Sequence, residues 1–115
     1  MKILLTGSTG YIGRRLLPVL VEAGHHVTCL VRDQRRFDWE DFSEEFLKHV
    51  SVVEVDLNDA ESFTKSPSDI DVAFYLVHSM SSSNPNFTDL EARSAQNFVQ
   101  YINQTTCKQI IYLSG

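Results

Sequence analysis

The sequence predicts an α/β fold in which a parallel sheet carries helices on both faces, and three observations support this. Short apolar segments alternate with amphipathic ones along all 115 residues. The apolar segments, such as HVTCLV and DVAFYLV, read as strands with both faces buried. Strands alternating with helices imply right-handed crossovers, and so a doubly wound sheet.

Residues 2–6 (KILLT) form the first strand, an apolar run that ends at a glycine. Over residues 11–23, Ile12, Leu16, Leu17, Val19, Leu20 and Ala23 recur at helical spacing. Gly24 follows where a left-handed terminal glycine belongs. Pro18 lies inside this helix, deletes one hydrogen bond and favours a kink. HVTCLV (26–31), SVVEV (51–55), DVAFYLV (71–77) and QIIYL (109–113) are the second to fifth strands. Between the second and third, Phe37, Phe42, Phe46 and Leu47 predict a short helix packed on the sheet. Over residues 90–102, Ala95, Phe98, Val99 and Ile102 share one helical face. Phe74 and Tyr75 are expected on opposite faces of the sheet. The loop HSMSSSNPN (78–86) leaves the end of the fourth strand, where ligands of such sheets bind; it also reads simply as a flexible turn.

An apolar content of 43% with 22% charged residues describes one globular domain rather than a disordered chain. The net charge of −5 argues against nucleic acid as a partner, because a phosphate-backbone binder needs a basic stripe. Arg32, Arg35 and Arg36 do cluster locally, enough to meet a single phosphate group. Cys29 and Cys107 form no Cys-x-x-Cys pair, which predicts neither a disulfide framework nor a zinc site and fits a reduced cytoplasm. Neither a signal-peptide pattern nor an apolar run of roughly 18 residues is present, so a soluble protein without a membrane partner is expected. His25, His26 and His49 lack metal-ligand spacing, and no metal is expected.

Gly7, Gly10 and Gly13 follow the first strand and open the first helix. In that setting Gly7 permits a tight turn, Gly10 lets a pyrophosphate approach the backbone, and Gly13 lets the helix lie close to the sheet. Unpaired N–H groups at the helix N-terminus, with hydroxyls from Ser8 and Thr9, complete a phosphate-binding turn.

The stretch TGSTGYIG, with that glycine spacing, resembles the short-chain dehydrogenase/reductase superfamily, specifically its extended and atypical members related to sugar-nucleotide epimerases and NmrA-like proteins. HHVTCLVRD, VVEVDLND and CKQIIYLSG are similar to that group's second, third and fifth strands. The resemblance implies a Rossmann-type doubly wound parallel sheet of strand order 3-2-1-4-5 that binds a nicotinamide dinucleotide. Gly7, Ser8, Thr9, Gly10, Tyr11, Ile12 and Gly13 would then surround the pyrophosphate. Asp56 and Leu57 would meet the adenine, although Asp56 also reads as the cap of a helix beginning near Asn58-Asp59. Leu76, Val77 and His78 would run beside the ribose and nicotinamide, with His78 equally readable as a structural residue.

Where NAD-using relatives carry an acidic residue at the end of the second strand, this chain has Arg32. A guanidinium there pairs with a 2′-phosphate, reinforced by Arg35 or Arg36, with Arg14 another candidate. One charge-assisted hydrogen bond predicts about a tenfold to hundredfold preference for NADP(H) over NAD(H). Asp33 opposes this, since it can take a ribose hydroxyl instead.

Active members of the superfamily use a Tyr-x-x-x-Lys pair, whereas Tyr11, Tyr75 and Tyr101 are followed four positions on by Arg15, Ser79 and Thr105. The chain stops at Ser114-Gly115, at the close of a strand. It is therefore expected to be the N-terminal part of a longer protein, with a sheet incomplete at its C-terminus and an exposed edge open to homo-oligomer formation. The parent is expected to be an oxidoreductase or a nucleotide-sugar epimerase with an unknown small-molecule substrate. A non-catalytic redox sensor of the NmrA kind and a structural Rossmann subunit are the alternatives.

Overall fold

A strand with two apolar faces must be covered on both, and the topology meets that need. The computed structural model describes residues 1–77 and 85–114. Its elements are β1 (Lys2–Thr6), α1 (Tyr11–Glu22), β2 (His26–Val31), α2 (Glu44–Leu47), β3 (Val50–Glu54), β4 (Val72–Val77), α3 (Pro85–Ile102) and β5 (Gln109–Ser114). The five strands form one sheet in the order β3-β2-β1-β4-β5, and every pair is parallel. Leu5 stands at the centre, opposite Cys29 on one side and Phe74 on the other.

Alternation along the strands splits the core in two. Ile3, Leu5, Val27, Cys29 and Val31 face α1 and the 37–47 segment, packing on Leu17, Leu20 and Phe37. Leu4, Leu30, Ala73 and Tyr75 face the other way, against Phe98 and Ile102 of α3 and Phe63 of the 3-10 helix Ala60–Lys65. Phe74 packs with the first cluster and Tyr75 with the second, as the period of two requires.

α1 is the helix the sequence predicts, continuing through Pro18, where the burial of Leu17 and Leu20 offsets one lost hydrogen bond. Two details depart from the sequence-based expectations. The connection between β2 and β3 is not one packed helix. Asp33 and Ser43 each cap a separate short turn, giving the 3-10 turn Gln34–Arg36 and the single-turn α2, with a second 3-10 turn at Trp39–Asp41 between them. Phe37 meets the Trp39 ring edge-on at a centroid distance of 4.7 Å and Phe42 at a tilt at 5.9 Å, and Phe42 in turn stacks on Phe46 at 4.4 Å. α3 begins at Pro85, whose fixed φ suits a first helical position. Its Val99 is exposed rather than part of the core face, beside the likewise exposed Ile110 and Tyr112 of the outer strand β5.

The contact that sets α1 against the sheet is made by a missing atom. A Cβ on Gly13 would lie 2.0 Å from the carbonyl oxygen of Gly7. Gly24 has a positive φ of 93° but open space around it. Gly13→Ala should therefore cost about 3 kcal/mol or more, lowering Tm by roughly 10 °C or preventing folding. Gly24→Ala should cost only about 1 kcal/mol, or roughly 4 °C. Thermal unfolding followed by circular dichroism distinguishes the two.

Three buried groups make the fold sensitive to alkali. Burial pushes the Cys29 thiol from an ordinary 9.0 up to about 12, and the Tyr75 and Tyr101 phenols from 10.0 up to about 12. Each is held neutral in the folded state and ionises more readily when unfolded. The stability they contribute is complete below about pH 9 and is lost as pH rises from there towards 12. Tm should accordingly be flat across neutral pH and fall steeply above pH 9, which a pH series of thermal melts will read.

Candidate functional site

The site is assembled where β1 ends. Gly7 turns the chain at φ +73°, and the Gly10 N–H donates back to the Gly7 carbonyl at 3.0 Å. A Cβ on Gly7 would press on Leu76 at 3.1 Å, so the turn lies directly against the end of β4. The Thr6 hydroxyl fastens the same two strands, donating to the Phe74 carbonyl at 3.2 Å and accepting from the Leu76 N–H at 3.1 Å.

α1 starts at Tyr11 with Gly10 as its cap, with no side-chain cap and no acidic residue in its first turn. The N–H groups of Tyr11, Ile12 and Gly13 therefore have no intrahelical acceptor, and the positive end of the helix dipole is not offset locally. Such a terminus favours an anion.

In front of the turn lies a cleft of about 280 Å³. Gly7, Thr9, Arg32, Asp56, Leu57 and Leu76 line it together, so six of the residues expected from the sequence meet in one place. Gly10, Tyr11, Ile12 and Gly13 stand at the turn and the first helical turn, where the backbone is their contribution. The Tyr11 and Ile12 side chains are exposed, and the Arg15 guanidinium lies 3.7 Å over the Tyr11 ring. Ser8 is turned inward: it is 3% exposed and its hydroxyl sits beside the Cys29 thiol. Val77 closes β4 in register with Ser114. His78 lies outside the described residues.

Arg32 also borders a second, wider groove of about 660 Å³ along the outer edge of β3, which shares Val55 and Asp56 with the cleft. Among the described residues Arg32 has no ion pair, whereas two neighbouring arginines do. Arg14 Nε lies 3.0 Å from Asp38, and Arg35 is bound to Asp33. The Arg35 backbone N–H, Nε and Nη2 donate to that carboxylate at 2.9, 3.1 and 3.1 Å. These bonds hold the Asp33 carboxyl below the usual range. The Trp39 indole N–H donates to the Gln34 carbonyl at 2.9 Å and ties the loop down.

Asp56 is exposed, and one of its oxygens accepts from the Asn58 N–H at 3.0 Å. It does not cap the following helix, because Asp59 does so, accepting from the Glu61 N–H at 3.1 Å. Sequence reasoning missed the residues that steady this floor. The Ser94 hydroxyl bonds the Asn58 side chain at 3.0 Å, and the Asn97 amide donates to the Leu57 carbonyl at 2.8 Å. Their i,i+3 spacing on α3 is the signal that could have found them.

Among the described residues no group of His, Cys, Asp and Glu is arranged to hold a metal ion, and no helix is long and apolar enough to cross a membrane.

Comparison with known proteins agrees with this geometry. A family described as NAD(P)H-binding matches residues 7–115. An isoflavone reductase homolog P3 from Arabidopsis thaliana is 38% identical over 88 residues, covering 69% of this chain and 26% of that protein. The chain thus spans about a quarter of that relative's length. Vestitone reductase from alfalfa (Medicago sativa) superposes with a TM-score of 0.78 at 19% identity, over 96% of this chain and 35% of its own. Yeast methylglyoxal/isovaleraldehyde reductase Gre2, solved with NADPH, superposes at 0.75 with 16% identity, over 97% of this chain and 36% of its own. At those identities the two structures show the fold alone. The family match spans nearly the whole chain, from the glycine turn onward, and the chain belongs to the NAD(P)H-binding family.

Proposed function

We propose that the cleft holds the adenosine and pyrophosphate half of NADP(H), in preference to NAD(H). One observation carries this reading: Arg32, between the cleft and the β3 groove, has no ion pair among the described residues, while the adjacent acid, Asp33, is occupied by Arg35. The N–H groups at the start of α1 bind the pyrophosphate, and the absence of a side chain at Gly13 is what brings them to the strand end. Asp56, with Leu57 beside it, orients the adenine, and the Arg32 guanidinium pairs with the 2′-phosphate. Leu76 and Val77 at the end of β4 direct the rest of the dinucleotide across the sheet. The nicotinamide, when bound, supplies hydride chemistry.

In this reading residues 1–115 are the dinucleotide-binding part of a longer cytoplasmic protein. Its activity is reduction of a small organic substrate or epimerisation of a nucleotide sugar, and substrate contacts lie outside these residues. A redox-sensing regulator is the second reading. Self-association along the exposed β5 edge belongs to the same proposal.

Calorimetric titration tests the cofactor assignment. NADPH should bind about tenfold to hundredfold more tightly than NADH, and Arg32→Ala should bring NADPH down to the NADH level while leaving NADH unchanged. Equal affinities in the unmutated protein, or an Arg32→Ala variant that retains the preference, would contradict it.

A further inference from the structure

We infer that Arg35 sets cofactor preference indirectly, as a positioning residue that holds the Asp33 carboxylate out of the ribose site rather than as a ligand of the 2′-phosphate. This rests on the proposed role of Arg32. The clamp is made of three donors from one residue. The backbone N–H and Nε of Arg35 converge on one Asp33 oxygen, and Nη2 takes the other. Both carboxylate oxygens are thereby engaged, and Asp33 is fixed as the N-cap of the Gln34–Arg36 turn. A carboxylate spent in this way is a poor acceptor for a ribose hydroxyl, and its charge is balanced beside the position where a dianionic phosphate would meet Arg32.

The same geometry argues against direct phosphate binding by Arg35. Its side chain is 90% exposed and directed to Asp33, and it lines neither the cleft nor the β3 groove, both of which Arg32 borders. Arg14 is likewise withdrawn by Asp38. The 33–38 segment thus supplies the acids that engage two flanking arginines, leaving Arg32 available.

Removing the Arg35 side chain frees one Asp33 oxygen entirely, because only the backbone N–H bond remains on the other. Arg35→Ala should weaken NADPH binding and tighten NADH binding, each on the order of two- to fivefold for so exposed a pair. Adding Asp33→Asn should reverse the NADH gain and restore NADPH affinity, since asparagine keeps the cap and loses the charge. Arg35 is exposed and Asp33 half-buried at the cap of a short turn, and circular dichroism verifies that both variants fold. If Arg35→Ala leaves NADH affinity unchanged, or if Asp33→Asn fails to reverse the gain, Arg35 does not act through Asp33. The Arg32→Ala control separates the two claims: loss of preference there, with no Asp33-dependent effect at Arg35, overturns the clamp alone. Retained preference in Arg32→Ala overturns the reading on which the clamp rests.

Discussion

The fold and its site both depend on the approach of α1 to the end of β1. A side-chain carbon on Gly13 would stand 2.0 Å from the Gly7 oxygen, well inside any tolerable contact, so the helix N-terminus sits where no other residue would let it. That approach serves two purposes. It seats Leu17 and Leu20 on one face of the central strand, and it leaves the first-turn N–H groups without acceptors among the described residues at the mouth of the cleft. Stability and anion affinity arise from the same backbone geometry.

Charge around the cleft is arranged by pairing rather than by accumulation. The chain is acidic overall, yet Arg32 borders both grooves without a carboxylate partner among the described residues. Asp33 and Asp38 are each matched to another arginine. These pairs are exposed and weak individually, so their effect is on where charge is offered rather than on how tightly the chain folds. The opposite wall is held by neutral hydrogen bonds from Ser94 and Asn97 of α3 to Asn58 and Leu57.

Much of this was legible in the sequence. The five strands follow from apolar runs, because burial on both faces leaves a strong imprint on composition, while their order was implied by the family resemblance of the glycine stretch and not by the alternation alone. Gly7 and Gly13 announce the turn, because a positive φ at the first and a 2.0 Å clash at the second exclude a side chain. The 34–47 segment was harder: Phe37, Phe42 and Phe46 have spacings compatible with a helix, and only the competing caps Asp33 and Ser43 break it into short turns. Neighbouring polar residues were equally opaque. Ser8 and Thr9 are adjacent, yet one is buried against Cys29 and the other lines the cleft. The sequence singled out Arg32, with Arg35, Arg36 and Arg14 as supporting candidates, and did not show that Arg14 is matched to Asp38 and Arg35 to Asp33.

Amide chemical-shift mapping of the isotope-labelled protein on addition of NADPH tests the central claim most directly. If the uncapped start of α1 is the pyrophosphate cradle, the largest shifts fall on the amides of Gly7 to Arg14, with a second group at Arg32 and Asp56 to Asn58. Shifts confined to the outer edge of β3, or none across Gly7 to Gly13 at saturating NADPH, would show that the glycine turn serves only the packing of the helix on the sheet.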